Sequence, residues 1–126
     1  MLVLDSGAIS RLARRTRQNA ATIAVLRREG LWPPLVPSVV LAEATSGRPG
    51  PDANSNRLLK TCDVVTELPE AITRRAGALR HRARRGSAVD AVLVAIAEPN
   101  GTVFTRDPHD LRALADHATG VTIDTP

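Results

Sequence analysis

The feature that most constrains this chain is its opening, Met1-Leu2-Val3-Leu4-Asp5, four apolar residues running straight into a carboxylate. Ser6-Gly7 follows, and then Ile9, Leu12 and Ala13 at helical spacing. That pattern reads as a short buried strand feeding a helix. Asp5 then sits at the C-terminal end of the strand, and in open α/β sheets ligands collect at that edge.

The rest of the chain repeats the alternation. Thr16 or Asn19 caps a second helix carrying Ile23 and Leu26 inward and ending at Gly30. Leu31 to Val36 is apolar but holds Pro33 and Pro34, so only a short or irregular strand fits. Pro37-Ser38 opens the next helix, with Ser38 as its cap and Glu43 within it. Gly47 to Pro51 reads as a surface loop, Ala53 to Lys60 as a helix, and Asp63 to Leu68 as a β-rich stretch. Pro69-Glu70 begins a long helix with the apolar stripe Ile72, Ala76, Leu79 and Ala83. After Gly86-Ser87, the residues Val89, Val92, Leu93 and Ile96 mark a further helix that stops near Pro99-Asn100-Gly101. Thr102 to Thr105 is a strand, Asp107-Pro108 starts a helix through Ala115, and Val121 to Asp124 is a last strand. Strands alternating with helices imply parallel pairing and right-handed crossovers. The expected architecture is a three-layer α/β/α domain, residues 1–126, around a central, mainly parallel sheet of four to five short strands.

At 126 residues and 43% apolar, the chain can bury a core as one domain. Its longest apolar run, Ala91 to Ala97, falls far short of the roughly 18 residues of a membrane span. No charged segment precedes an apolar leader, so a soluble cytoplasmic protein without membrane contact is expected. Cys62 stands alone and reads as a small core or surface thiol; His81, His109 and His117 show no metal-ligand spacing. A net charge of +4 favours a polyanionic partner. Trp32 and Phe104 are the only aromatic residues, which argues against modules that stack bases on several exposed rings. A nucleic acid would be held by its phosphates. The most basic stretch runs from Arg74 to Arg85, where Arg82 and Arg85 are candidate RNA-binding residues set against a merely solvated face.

Four carboxylates stand out. Asp5 is either a helix cap or a strand-end ligand. Glu43 lies outside capping-box range, in the apolar run Val39-Val40-Leu41-Ala42-Glu43-Ala44, where an unpaired charge is costly. Asp90 stands three residues after Ser87, the capping-box spacing. Asp107 precedes Pro108, with Asp110 three further on, again a cap pattern. Jointly they say more: Asp5 and Asp107 close two strands, while Glu43 and Asp90 lie in first turns of helices. All four can face one sheet edge. Carboxylates gathered in one cleft repel unless a cation joins them, and oxygen-only ligands suit Mg²⁺ or Mn²⁺. Such a site is suited to activating water against a phosphodiester.

The array Leu2-Val3-Leu4-Asp5-Ser6, Pro37-Ser38-Val39-Val40-Leu41-Ala42-Glu43, Ser87-Ala88-Val89-Asp90-Ala91-Val92-Leu93-Val94-Ala95 and Thr105-Arg106-Asp107-Pro108-His109-Asp110-Leu111 resembles the PIN-domain family. More narrowly, it is similar to the stand-alone VapC-type toxins of toxin–antitoxin pairs. The resemblance covers the whole chain. It implies a PIN-like fold and a Mg²⁺- or Mn²⁺-dependent endoribonuclease. By position, Asp5, Glu43, Asp90 and Asp107 match the family's acidic quartet, Asp110 an additional acid, and Thr105 a hydroxyl beside the site. One departure is Gly7, where the family often has serine or asparagine. The resemblance also implies a homodimer inhibited by a small VapB-like antitoxin.

Rival readings are weaker. A dinucleotide-binding turn needs more glycines than Asp5-Ser6-Gly7-Ala8-Ile9-Ser10-Arg11 contains. A phosphoacceptor domain normally adds a strand-end lysine, and the single lysine, Lys60, falls in an expected helix. A non-catalytic RNA-binding or scaffolding version of the same fold is the alternative that remains.

Overall fold

The computed structural model describes all 126 residues. Five three-residue strands form the sheet: β1 (Leu2–Leu4), β2 (Leu35–Pro37), β3 (Asp63–Val65), β4 (Thr102–Phe104) and β5 (Thr122–Asp124). Between them lie α1 (Ser6–Leu12), α2 (Arg17–Arg28), α3 (Leu41–Ala44), α4 (Pro49–Leu59), α5 (Glu70–Ala83), α6 (Ala88–Ala97) and α7 (Pro108–Ala115). The strand order is β3-β2-β1-β4-β5 and every pairing is parallel. No helix is long and apolar enough to cross a membrane.

β1 is central because it is apolar on both faces. Leu2, Val3 and Leu4 are all buried, as a strand covered by helices on both sides must be. From β1 the chain moves outward through β2 to β3, so right-handed crossovers place α1 to α4 on one face. It then returns across the sheet to β4 and β5, which places α5 to α7 on the other. The helix contacts agree: α1 packs on α3 and α4, whereas α5, α6 and α7 pack on one another. The result is the expected α/β/α sandwich.

α6 is the middle of the second layer. Ala91 to Ala95 and Ala97 are buried, and a helix apolar around most of its circumference must be covered by neighbours. The stripe read on α5 packs inward, with Leu79 fully buried and Ala76 nearly so. Arg75 and Glu98 fasten this layer through paired contacts of 2.8 and 2.9 Å, and Glu98 also accepts the Thr119 amide at 2.8 Å. The Arg75 hydrogen bonds, ahead of partial burial, hold the Glu98 carboxyl below its usual range.

Two expectations are corrected. α4 begins at Pro49, not near Ala53, so part of the supposed Gly47–Pro51 loop is helix. Proline suits a first helical turn. The Asp52 carboxylate accepts from the Ser46 amide at 3.0 Å and the Gly47 amide at 2.9 Å, fixing the approach. Ser38 is not a side-chain cap: Ser38–Val40 is a turn of 3₁₀ helix leading into α3, and no side chain caps either. Thr16 does cap α2, accepting from the Asn19 amide, while the Asn19 side chain donates to Arg11 and Arg14 carbonyls. Both residues proposed as caps thus secure the same corner.

Candidate active site

A parallel sheet carries all its strand C-termini on one edge, and in this strand order the chain turns in opposite directions after β1 and after β4. Connections that diverge from adjacent strands leave a crevice between them. Asp5 and Thr105 are its two walls. Leu4 pairs with Phe104, so the next residues stand side by side, and the Asp5 amide donates to the Phe104 carbonyl at 3.1 Å.

Asp5 is extended at φ −88° and caps α1, its Oδ1 accepting the Ala8 amide at 2.7 Å. It is half-buried, and burial raises its pKa above the ordinary carboxylate value. Hydrogen bonds from Thr105 and Ala8 oppose the rise, and the negative charge of Asp90 adds to it. Thr105 is only 1% exposed. Its hydroxyl oxygen accepts the Asp107 amide at 3.0 Å, and its single proton has two acceptors, the Asp107 carbonyl at 3.2 Å and the Asp5 carboxylate. Ionised Asp5 is the stronger acceptor, since charge-assisted hydrogen bonds outweigh neutral ones.

Asp90 comes to the crevice from the other layer. α6 runs back toward the start of β4, so its N-terminus lies at the strand C-terminal edge. A complete capping box holds it there: Ser87 Oγ accepts the Asp90 amide at 3.0 Å and Asp90 Oδ2 accepts the Ser87 amide at 3.2 Å. The structural reading of Asp90 is therefore correct, and its charge still reaches Asp5.

Asp107 behaves differently. It occupies the cap position of α7 yet makes no side-chain capping bond, and it is exposed. Its carboxylate is uncommitted. Asp110 is half-buried in the first turn of α7 and also makes no hydrogen bond. Glu43 is exposed on α3, which removes the argument that its charge is trapped in an apolar run. The Asp90 charge thus acts on Asp5, while no three acidic, histidine or cysteine side chains form a group able to hold a metal ion.

A hard cation does not require three protein carboxylates. Mg²⁺ commonly takes one or two protein carboxylates and completes its shell with water and substrate phosphate. Asp5 and Asp90 are two acids with no ion-pair partner, since the chain's ion pairs are Arg74 with Glu70 and Arg75 with Glu98.

Arg106 was not singled out from the sequence. Its Cβ would lie 3.2 Å from a Cβ added at Gly7, so the Arg106 stem fills the space a side chain at position 7 would take. The Gly7 departure therefore has a steric partner across the crevice. Arg85 contacts His109 Nε2, tying the α5–α6 turn to the start of α7. Arg82 is exposed on α5.

A cavity of about 490 Å³ lies elsewhere, between α1, α2 and α4. Leu12, Ile23 and Trp32 line it and arginines including Arg14, Arg17 and Arg57 rim it, with no acid. The Trp32 Nε1 is buried there without an acceptor. Lacking carboxylates, this cavity is not the place for the acid chemistry. The run Arg14-Arg15-Thr16-Arg17 was its visible signal in the sequence.

Fold and site together define a class: a doubly wound, all-parallel α/β domain with an acidic crevice at its switch point. A scan against protein-family models finds no match to the chain, and a search of curated proteins finds no relative.

Proposed function

We propose that the chain is a Mg²⁺- or Mn²⁺-dependent endoribonuclease of the PIN-domain kind, the toxin of a VapBC-type pair. The carrying observation is the Asp5 carboxyl at the switch-point edge of the sheet, held partly out of water and pushed up further by the negative charge of Asp90. The sequence resemblance supports the narrower assignment, and the +4 charge suits a polyanionic substrate. In this reading Asp5 and Asp90 hold the cation, and Glu43 and Asp107 join when RNA and metal are present. A divalent cation so placed supplies an acidified water and neutralises charge on the phosphate. Thr105 orients Asp5 through its hydroxyl, and the capping box keeps Asp90 aimed at the crevice. A cytoplasmic homodimer silenced by a small VapB-like antitoxin completes the proposal.

The test is cleavage of RNA by pure protein with Mg²⁺ or Mn²⁺ and with EDTA. Metal-dependent cuts support the reading, and EDTA-resistant cleavage refutes it. For the toxin role, expression alone should arrest bacterial growth and a co-expressed partner should relieve it; harmless expression of folded, active protein refutes that part. A non-catalytic RNA-binding or scaffolding protein is the second reading, favoured by the capping duties that Asp5 and Asp90 already perform. RNA binding without cleavage in any divalent metal would establish it.

A further inference from the structure

The C-terminal half of α5 carries a concavity that the acid crevice does not explain. It is about 470 Å³ and is lined by Gly77, Arg80, His81, Arg84, Arg85 and Gly86, with no hydrophobic and no acidic residue. None of its arginines takes part in an ion pair. Arg80 stands in the last turn of α5 and Arg84 four residues on at its C-cap, and like charges at that spacing repel. Cations near a helix C-terminus are favoured by the helix dipole, which accounts for some basic residues here. It does not account for Gly77. That glycine sits inside α5, where alanine would favour the helix, and a Cβ built on it meets nothing within 4 Å. Packing therefore gives no reason for glycine, whereas a ligand lying close against the helix backbone would.

We propose that this face is a docking site for the sugar–phosphate backbone of a single-stranded polynucleotide, with Arg80 and Arg84 as phosphate contacts and bare Gly77 as its floor. The proposal rests on the RNA-cleaving reading for the strand's destination: Gly86-Ser87 leads from the concavity into the capping box of Asp90, and Arg85 touches His109 beside Asp107. The strand would run along α5 and enter the crevice past the α5–α6 turn. A site without apolar lining suits phosphates and ribose, not an apolar protein segment. Arg82, one of the two residues favoured from sequence, lies outside this lining, whereas Arg85 lies within it.

The experiment measures binding of a short fluorescein-labelled oligouridine to the full chain in EDTA, by anisotropy across a salt series. Arg84 makes no side-chain hydrogen bond and has φ +52°, a conformation asparagine tolerates, so Arg84→Asn should fold normally. It should reduce the slope of log affinity against log salt by about 0.7, and Arg80→Gln/Arg84→Asn by about 1.4. Gly77→Ala should melt higher than wild type and bind oligouridine more weakly. Unchanged slopes in natively melting Arg84→Asn, or Gly77→Ala that binds as wild type does, overturn the proposal. The two readings fail separately. Binding with the expected slopes but no cleavage in Mg²⁺ removes the nuclease and keeps the docking face; cleavage with unaltered slopes does the reverse.

Discussion

Asp5→Asn separates a metal ligand from a helix cap by the sign of its effect. Asparagine caps about as well as aspartate, so the bond now made to the Ala8 amide at 2.7 Å survives. What is lost is a charge that burial already disfavours. Because the native pKa lies above its ordinary 3.8, the folded protein binds the proton more tightly than the unfolded chain does. Wild type therefore loses stability as pH rises from about that value through the native pKa, and Asp5→Asn is spared this loss. In EDTA at neutral pH the variant should melt above wild type, and the difference should vanish at pH below 3.8, where both side chains are neutral. Metal reverses the order. At 100 times its dissociation constant, a ligand that binds only the native state stabilises it by about 2.7 kcal/mol. An unfolding entropy of about 2.1 cal/mol/K per residue is about 265 cal/mol/K for this chain, so wild type should gain about 10 °C. Asp5→Asn should gain little of that. Differential scanning calorimetry in EDTA and in Mg²⁺ supplies all four melting temperatures. A variant that melts at or below wild type in EDTA and shows the same rise with Mg²⁺ refutes the argument, and Asp5 is then a cap alone.

Asp107→Asn should shift stability by less than about 0.5 kcal/mol, since the exposed carboxylate makes no capping bond, while RNA cleavage falls sharply; retained cleavage removes Asp107 from the site. Burial pushes the Cys62 thiol up to about 11, so a thiolate-specific reagent at pH 8 should label it slowly in native protein and rapidly in denaturant; equal rates would show the thiol is not protected. Leu79→Ala should cost about 2.7–5.0 kcal/mol, or about 10–20 °C in melting temperature, because Leu79 is 0% exposed between α5 and its neighbours; a loss under about 1 kcal/mol would mean the layer repacks.

The order of strands and helices was legible in the sequence because it depends on local patterns. The Leu2-Val3-Leu4 run, the Ile72-Ala76-Leu79-Ala83 stripe and the Ser87/Asp90 spacing each specify an element through neighbouring residues alone, and each appears as read. The capping box was visible for the same reason. Only tertiary structure could decide that β1 lies between β2 and β4, since that order depends on which crossovers bury which faces. That order brings Asp5 beside Thr105 and sets the Asp90 charge against Asp5, across separations of many tens of residues. It also decided exposure. Glu43 sits in an apolar stretch of sequence but points to solvent, because a four-residue helix after a 3₁₀ turn covers too little of its own circumference to bury it. Gly7 and Arg106 face each other across the crevice, and Gly77 lies bare in a concavity lined by Arg80, Arg84 and Arg85. Neither is written in any local pattern: a glycine in a sequence shows that a side chain is missing, and only the fold shows what occupies the space it leaves.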